Sequence, residues 1–170
     1  GCRMKRTILI LAVFFLLPYG LAANETPIEI GSVNWGRDLD KALKLSGETG
    51  RPVFLLFQEV PGCSGCQDFG RTVLANPRVV EAIENEFLPV LVYNNRGGED
   101  RRLLKRFNEP AWNYQVVRFL DAEGQDIIPR KDRVWTVKHL ASRMIETLQA
   151  FDHPVPDSLR ALAEESLLGQ

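Results

Sequence analysis

The chain has 170 residues, 45% hydrophobic and 25% charged, with a formal net charge of −1. That balance belongs to a folded globular protein and excludes a disordered chain, a collagen-like repeat and a coiled coil, while the near-neutral charge argues against a nucleic-acid binder, which carries a basic excess. Three cysteines are too few for a disulfide-framework scaffold. In chain order, Arg3, Lys5 and Arg6 come first and precede an unbroken apolar run from Ile8 to Leu17. Pro18 to Gly20 break the run, and Leu21-Ala22-Ala23 closes the segment. A basic start, a short apolar core and a small-residue end predict a secretory signal peptide over residues 1–23. The apolar run is shorter than the roughly 20 residues of a transmembrane helix; an uncleaved membrane anchor is the competing reading. Cys2 lies ahead of the run, so it is not placed as a lipoprotein cysteine.

Without residues 1–23 the chain has 18 Lys plus Arg against 22 Asp plus Glu, a net charge of −4, and keeps two cysteines. The expected setting is exported, periplasmic or extracellular, where disulfides persist, with no membrane attachment once the signal is gone. Residues 24–34 read as a lead segment, 35–151 as one domain, and 152–170 as a linker and short helix.

Trp35, Leu39, Ala42 and Leu43 recur at helical spacing after a cap at Asn34, and Gly47 and Gly50 stop that helix. Val53 to Phe57 is continuously apolar and predicts a strand buried on both faces, as in a parallel sheet. Helical character returns at the cysteines and runs to about Leu74. Asn76-Pro77 starts another helix, a capping side chain followed by proline at the first helical position. Its apolar face is Val79, Val80 and Ile83. Phe87 to Tyr93 predicts a second buried strand, and Glu99 to Phe107 a short helix. Gln115 to Leu120 and Asp126 to Ile128 predict two strands joined as a hairpin through Gly124. Thr136 caps a long helix carrying Val137, Leu140, Ala141, Met144, Ile145 and Leu148 on one side. Pro154 and Pro156 mark a linker before a helix over 157–168, a docked cap, a loose end or a partner-binding tail. The result is an α/β domain whose central mixed sheet has two parallel crossovers and a C-terminal hairpin, flanked by helices.

Cys63-Ser64-Gly65-Cys66 joins the first strand to a helix start. Free N–H groups and the helix dipole favour a thiolate at such a position, and Cys66 lies one turn further in. A thiolate at the first position attacks a substrate disulfide, and the second cysteine resolves the mixed disulfide. Ser64 and Gly65 place no cation beside the thiol, which points toward the reducing end of the potential range. Other readings stay open. A structural disulfide closes too short a loop to remove much chain entropy. A closed zinc site needs about four ligands, and only His139 and His153 join the cysteines as softer donors. A thiophilic ion such as Cu(I) needs only two thiolates.

Together with Asn34-Trp35, Arg51-Pro52-Val53, Asn76-Pro77-Arg78-Val79, Phe87-Leu88-Pro89-Val90 and Phe119 to Gly124, the motif makes residues 33–151 resemble the thioredoxin-like family, and within it secreted thioredoxin-related proteins. The resemblance implies a thioredoxin fold and thiol–disulfide exchange, with Cys63 as nucleophile and Cys66 as resolving cysteine. Protein disulfides or dithiols would be the substrates, a redox partner would restore the pair, and no cofactor is needed. Pro61, Gly62, Tyr114 and Gln115 would line the substrate site. The alternative is a non-catalytic thioredoxin-fold module that binds a thiophilic metal ion or a protein partner.

Three positions depart from the family pattern. Gly62 stands where the family has Trp. Leu56 or Phe57 stands where thioredoxins carry a buried Asp that helps proton transfer, and nearby Glu59 reads as a solvated loop residue. Gln115 stands where the family has a cis-proline, Pro110 being five residues too early, and a cis bond before Gln would cost about 3–4 kcal/mol. A trans Tyr114–Gln115 bond is therefore predicted. Arg130, Lys131 and Arg133, with Asp132 among them, read as a solvated face and His139 as a surface residue. Trp112 and Tyr114 read as core packing or a partner-binding rim.

Overall fold

The computed structural model describes residues 26–112 and 115–165. The predicted signal peptide, Tyr114 and the Tyr114–Gln115 bond lie outside the described residues. No helix among the described residues is long and apolar enough to cross a membrane.

A single 3-10 turn over Ile28–Ile30 opens the fold. Helix α1 spans Leu39–Thr49, with the Asp38 carboxylate accepting from the Lys41 N–H and Gly50 closing the helix at φ 69°. The start expected at Asn34 is thus moved to Asp38. The reason is tertiary. Gly36 pairs in parallel with Val90, its N–H donating to Pro89 O and its carbonyl accepting from Leu91 N. Trp35 turns inward instead, donating from Nε1 to Ile30 O and packing 5.8 Å from the Phe54 ring. Gly47 remains inside α1 and does not stop it.

Strand β1 spans Val53–Gln58 and is buried throughout. Helix α2 spans Ser64–Phe69 and continues as one π-helical turn over Gly70–Leu74. Helix α3 spans Pro77–Glu86, its first two free N–H groups held by the Asn76 side chain. Strand β2 is Leu88–Tyr93, α4 is Gly98–Arg106, and β3 is Val116–Leu120. Helix α5, Val137–Ala150, starts at the expected Thr136 cap. Helix α6 spans Asp157–Glu165.

The sheet order is β2-β1-β3, parallel between β1 and β2 and antiparallel between β1 and β3. Parallel crossovers lead from the Gly36 bridge through α1 to β1 and from β1 through α2 and α3 to β2. The antiparallel member of the mixed sheet is β3. The hairpin arm expected at Asp126–Ile128 narrows to one bridge, Leu120 to Asp126, with the Asp126 side chain paired across the hairpin to Arg118.

Alternation along β1 divides the core. Phe54 and Leu56 face a cluster that includes Phe69, Phe87, Phe119, Leu140 and Met144. Val53, Leu55 and Phe57 face the other side with Leu39, Val90 and Leu104. Phe54 meets Phe119 edge to face at 5.3 Å, a geometry that adds to simple burial. Leu159 and Leu162 of α6 are buried in the first cluster, so the tail helix is a docked cap. A strand without solvent exposure on either face fixes where its C-terminal end emerges, and that end carries the cysteine motif.

Candidate active site

β1 ends at Gln58 and the chain turns through Glu59 to Gly62, with a cis Val60–Pro61 peptide, before Cys63 caps α2 in an extended conformation. Cys63 is exposed and Cys66 is fully buried. Both are free thiols, their sulfurs 3.3 Å apart and within hydrogen-bond reach. Burial, above all, pushes the Cys66 thiol up from 9.0 to about 12, helped by its hydrogen bond with Cys63 and by the charges of Cys63 and Glu59. One thiol meets solvent, and the other stays protonated behind it.

The turn is held from three sides. Asn95 of the β2–α4 loop accepts from Val60 N and donates to Pro61 O, each at 3.2 Å. Gln67 donates to Gly62 O at 3.4 Å. From the 3-10 turn, the Glu29 carboxylate accepts the Gly62 N–H at 2.8 Å. Below them Gln58, fully buried, donates to Glu29 O at 2.6 Å and Cys66 O at 3.3 Å.

The geometry explains glycine at 62. A Cβ there would lie 2.4 Å from Glu59 O and 2.6 Å from Cys66 Cβ. Glu59 O is backbone and cannot swing away, so this turn has no place for a larger residue. Gly62→Ala should lower stability by about 1–3 kcal/mol through overpacking and slow disulfide closure. Urea denaturation of the reduced protein tests this, and an unchanged midpoint would show that the turn relaxes freely.

Gln115, 7% exposed, stands across from the motif. It lines a groove of about 180 Å³ with Cys63, Gly65 and Trp135. Pro61 is exposed and Gly62 half-buried in the turn itself. Sequence reasoning missed Trp135, whose only signal was an aromatic residue beside the Thr136 cap. It missed Glu29 as well, a contact across 33 residues with no local signature. A larger hollow of about 370 Å³ runs along α1 and β2, away from the thiols.

Two expectations need correction. Glu59 is half-buried, not a solvated loop residue, and a carboxylate oxygen of Glu59 lies within 4.8 Å of both cysteine sulfurs. Arg130 is not part of a solvated face. It binds both carboxylate oxygens of the buried Glu109, and that hydrogen bonding pushes its guanidinium further up. Lys131, Arg133 and His139 are exposed, and Trp112 is 77% exposed.

Glu59, Cys63 and Cys66 together offer three donor atoms to a soft cation, short of the four that a closed zinc site uses. Binding would require Cys66 to release its proton, which burial opposes.

Residues 34–122 match the family model described as Thioredoxin-like, more than half of the chain. The chain belongs to the thioredoxin-like family. Thiol:disulfide interchange protein DsbD of Ralstonia nicotianae is 32% identical over 87 residues, covering 51% of this chain and 14% of that relative. A structure of the DsbH oxidoreductase superposes with a TM-score of 0.55 at 18% identity, over 75% of this chain and 90% of that one. The solution structure of a thioredoxin from Thermus thermophilus gives 0.53 at 21% identity, over 68% and 86%. Both share the thioredoxin fold with this thioredoxin-like chain, whose cysteine motif sits at the end of its central strand.

Proposed function

We propose that this thioredoxin-like protein exchanges thiols and disulfides with protein substrates outside the cytosol, Cys63 attacking and Cys66 resolving. The observation that carries the reading is the asymmetry of the pair: an exposed sulfur 3.3 Å from a buried one. The Cys63 thiolate attacks one sulfur of a substrate disulfide, and the other substrate sulfur leaves as a thiolate and takes a proton from water. In the mixed disulfide Cys63 carries neither a charge nor an S–H. Two of the causes that raise the Cys66 thiol are then gone, so Cys66 loses its proton more easily once Cys63 is engaged. Its thiolate attacks Cys63 Sγ, the second substrate sulfur departs and is protonated, and a Cys63–Cys66 disulfide remains. Two electrons have passed to the substrate. A redox partner returns them, and the same steps in reverse oxidise a dithiol.

The groove beside Cys63 supports a polypeptide substrate, because Trp135 and Gln115 give a chain flanking the attacked sulfur a wall to lie against. The basic and apolar pattern of residues 1–23 supports export. Reduction of insulin disulfides by the full chain, recycled with dithiothreitol, is the test, and activity above the dithiothreitol background is expected. No activity, together with tight stoichiometric Cu(I) binding by Glu59, Cys63 and Cys66, would replace exchange with metal binding.

A further inference from the structure

We propose that Glu29 is a positioning residue for the thiol pair: by accepting the Gly62 N–H, its buried carboxylate holds the turn ahead of Cys63 closed over Cys66. Glu29 is 4% exposed, and among the described residues no basic side chain pairs with it. A carboxylate that deep is costly without donors, and among the described residues the Gly62 N–H at 2.8 Å is the donor it has.

The segment that brings Glu29 there is itself locked in place. A Cβ on Gly70 would lie 1.9 Å from Ile28 O, and a Cβ on Gly31 2.3 Å from the Leu74 backbone. Ser32 N donates to Leu74 O at 3.0 Å. The 3-10 turn therefore packs backbone to backbone on the helix that carries Cys66, and it lies outside the 34–122 match to the family. Glu29 and Cys66 are fixed to one body, and Gly62 is tied to that body at its N–H by the Glu29 carboxylate at 2.8 Å and at its carbonyl by the longer 3.4 Å contact from Gln67.

On the far side of this tie, Gly62 presses on Cys66 so closely that a Cβ has no room. An outward movement of Gly62 would carry Cys63, the next residue, away from Cys66. The two sulfurs must close from 3.3 Å to about 2.05 Å to form the bond. Releasing the Gly62 N–H lowers the effective concentration of one thiol at the other, and the disulfide becomes easier to reduce.

The inference rests on Cys63 and Cys66 acting as a redox pair. The test is the equilibrium of the full chain with glutathione, in which protein dithiol and one oxidised glutathione yield protein disulfide and two reduced glutathiones. Glu29→Ala should lower the constant for disulfide formation about tenfold, about 30 mV toward the oxidising side for a two-electron couple. Glu29→Gln keeps an oxygen acceptor without the charge and should stay within about twofold of wild type, because the hydrogen bond and not the charge does the positioning. An unchanged constant in Glu29→Ala, or an equal loss in Glu29→Gln, overturns the assignment. Amide hydrogen exchange at Gly62 in the unaltered chain tests it without any variant: strong protection is expected, and exchange at the rate of an open loop overturns it. If the wild type failed to reduce insulin, the proposed function would fall while this equilibrium could still be measured.

Discussion

Cys63→Ser should abolish insulin reduction, and Cys66→Ser should leave the first attack intact while trapping a mixed disulfide with the substrate. The two cysteines differ in access before they differ in chemistry. A substrate disulfide can reach the exposed Cys63 sulfur but not Cys66, which is buried completely. With its thiol pushed up to about 12 by burial above all, Cys66 is protonated at pH 7, and only the thiolate is nucleophilic. Brief alkylation of the reduced protein at pH 7 should therefore label Cys63 alone. Because the Cys66 shift is upward, its labelling should lag behind that of Cys63 and grow as pH rises, and lowering the pH should suppress it further. Mass spectrometry of alkylated peptides and non-reducing gels of the Cys66→Ser protein read both outcomes. Exchange that survived in Cys63→Ser, or labelling of Cys66 first, would remove Cys63 from the nucleophile's role.

Glu109→Ala should destabilise the fold by about 1–3 kcal/mol, the cost of leaving buried donors without their acceptor. The Glu109 side chain is 1% exposed and pairs with Arg118, itself 10% exposed, and with Arg130. Arg118 also donates to Phe107 O at 3.0 Å and pairs with Asp126. Glu109 thus gathers α4's exit, β3 and the approach to α5 around one carboxylate. Without it two guanidinium groups lose their common acceptor, and Arg118 is left with Asp126 and the Phe107 carbonyl, Arg130 with Asp132. The segment so held carries Gln115 to the groove beside Cys63, so exchange with protein substrates should weaken along with stability. Urea denaturation measures the first effect. A loss below about 1 kcal/mol would place this network with exposed ion pairs, which contribute little.

Much of the element order was legible in the sequence because its signals are local. Asn76-Pro77 and Thr136 mark helix starts through hydrogen bonds that close within three residues, and the apolar run Val53 to Phe57 is long enough to declare a strand buried on both faces. The start of α1 was misplaced because the Trp35 periodicity is real but serves a different contact. Gly36 pairs with β2, a partner more than 50 residues away, and that pairing outweighs helical spacing. The hairpin after β3 forms as expected through Gly124, but its second arm pairs only at Asp126 with Leu120.

The sequence by itself determined that two cysteines one helical turn apart lie at a strand-to-helix junction, since spacing, the preceding apolar run and helix geometry are properties of neighbouring residues. Only the tertiary structure decided what makes the pair unequal. Burial of Cys66, the approach of Glu59 to both sulfurs, the steric demand for glycine at 62 and the Glu29 hold on its N–H all depend on how distant segments pack. Desolvation and close contact are set by surroundings, and those are assembled from the whole chain.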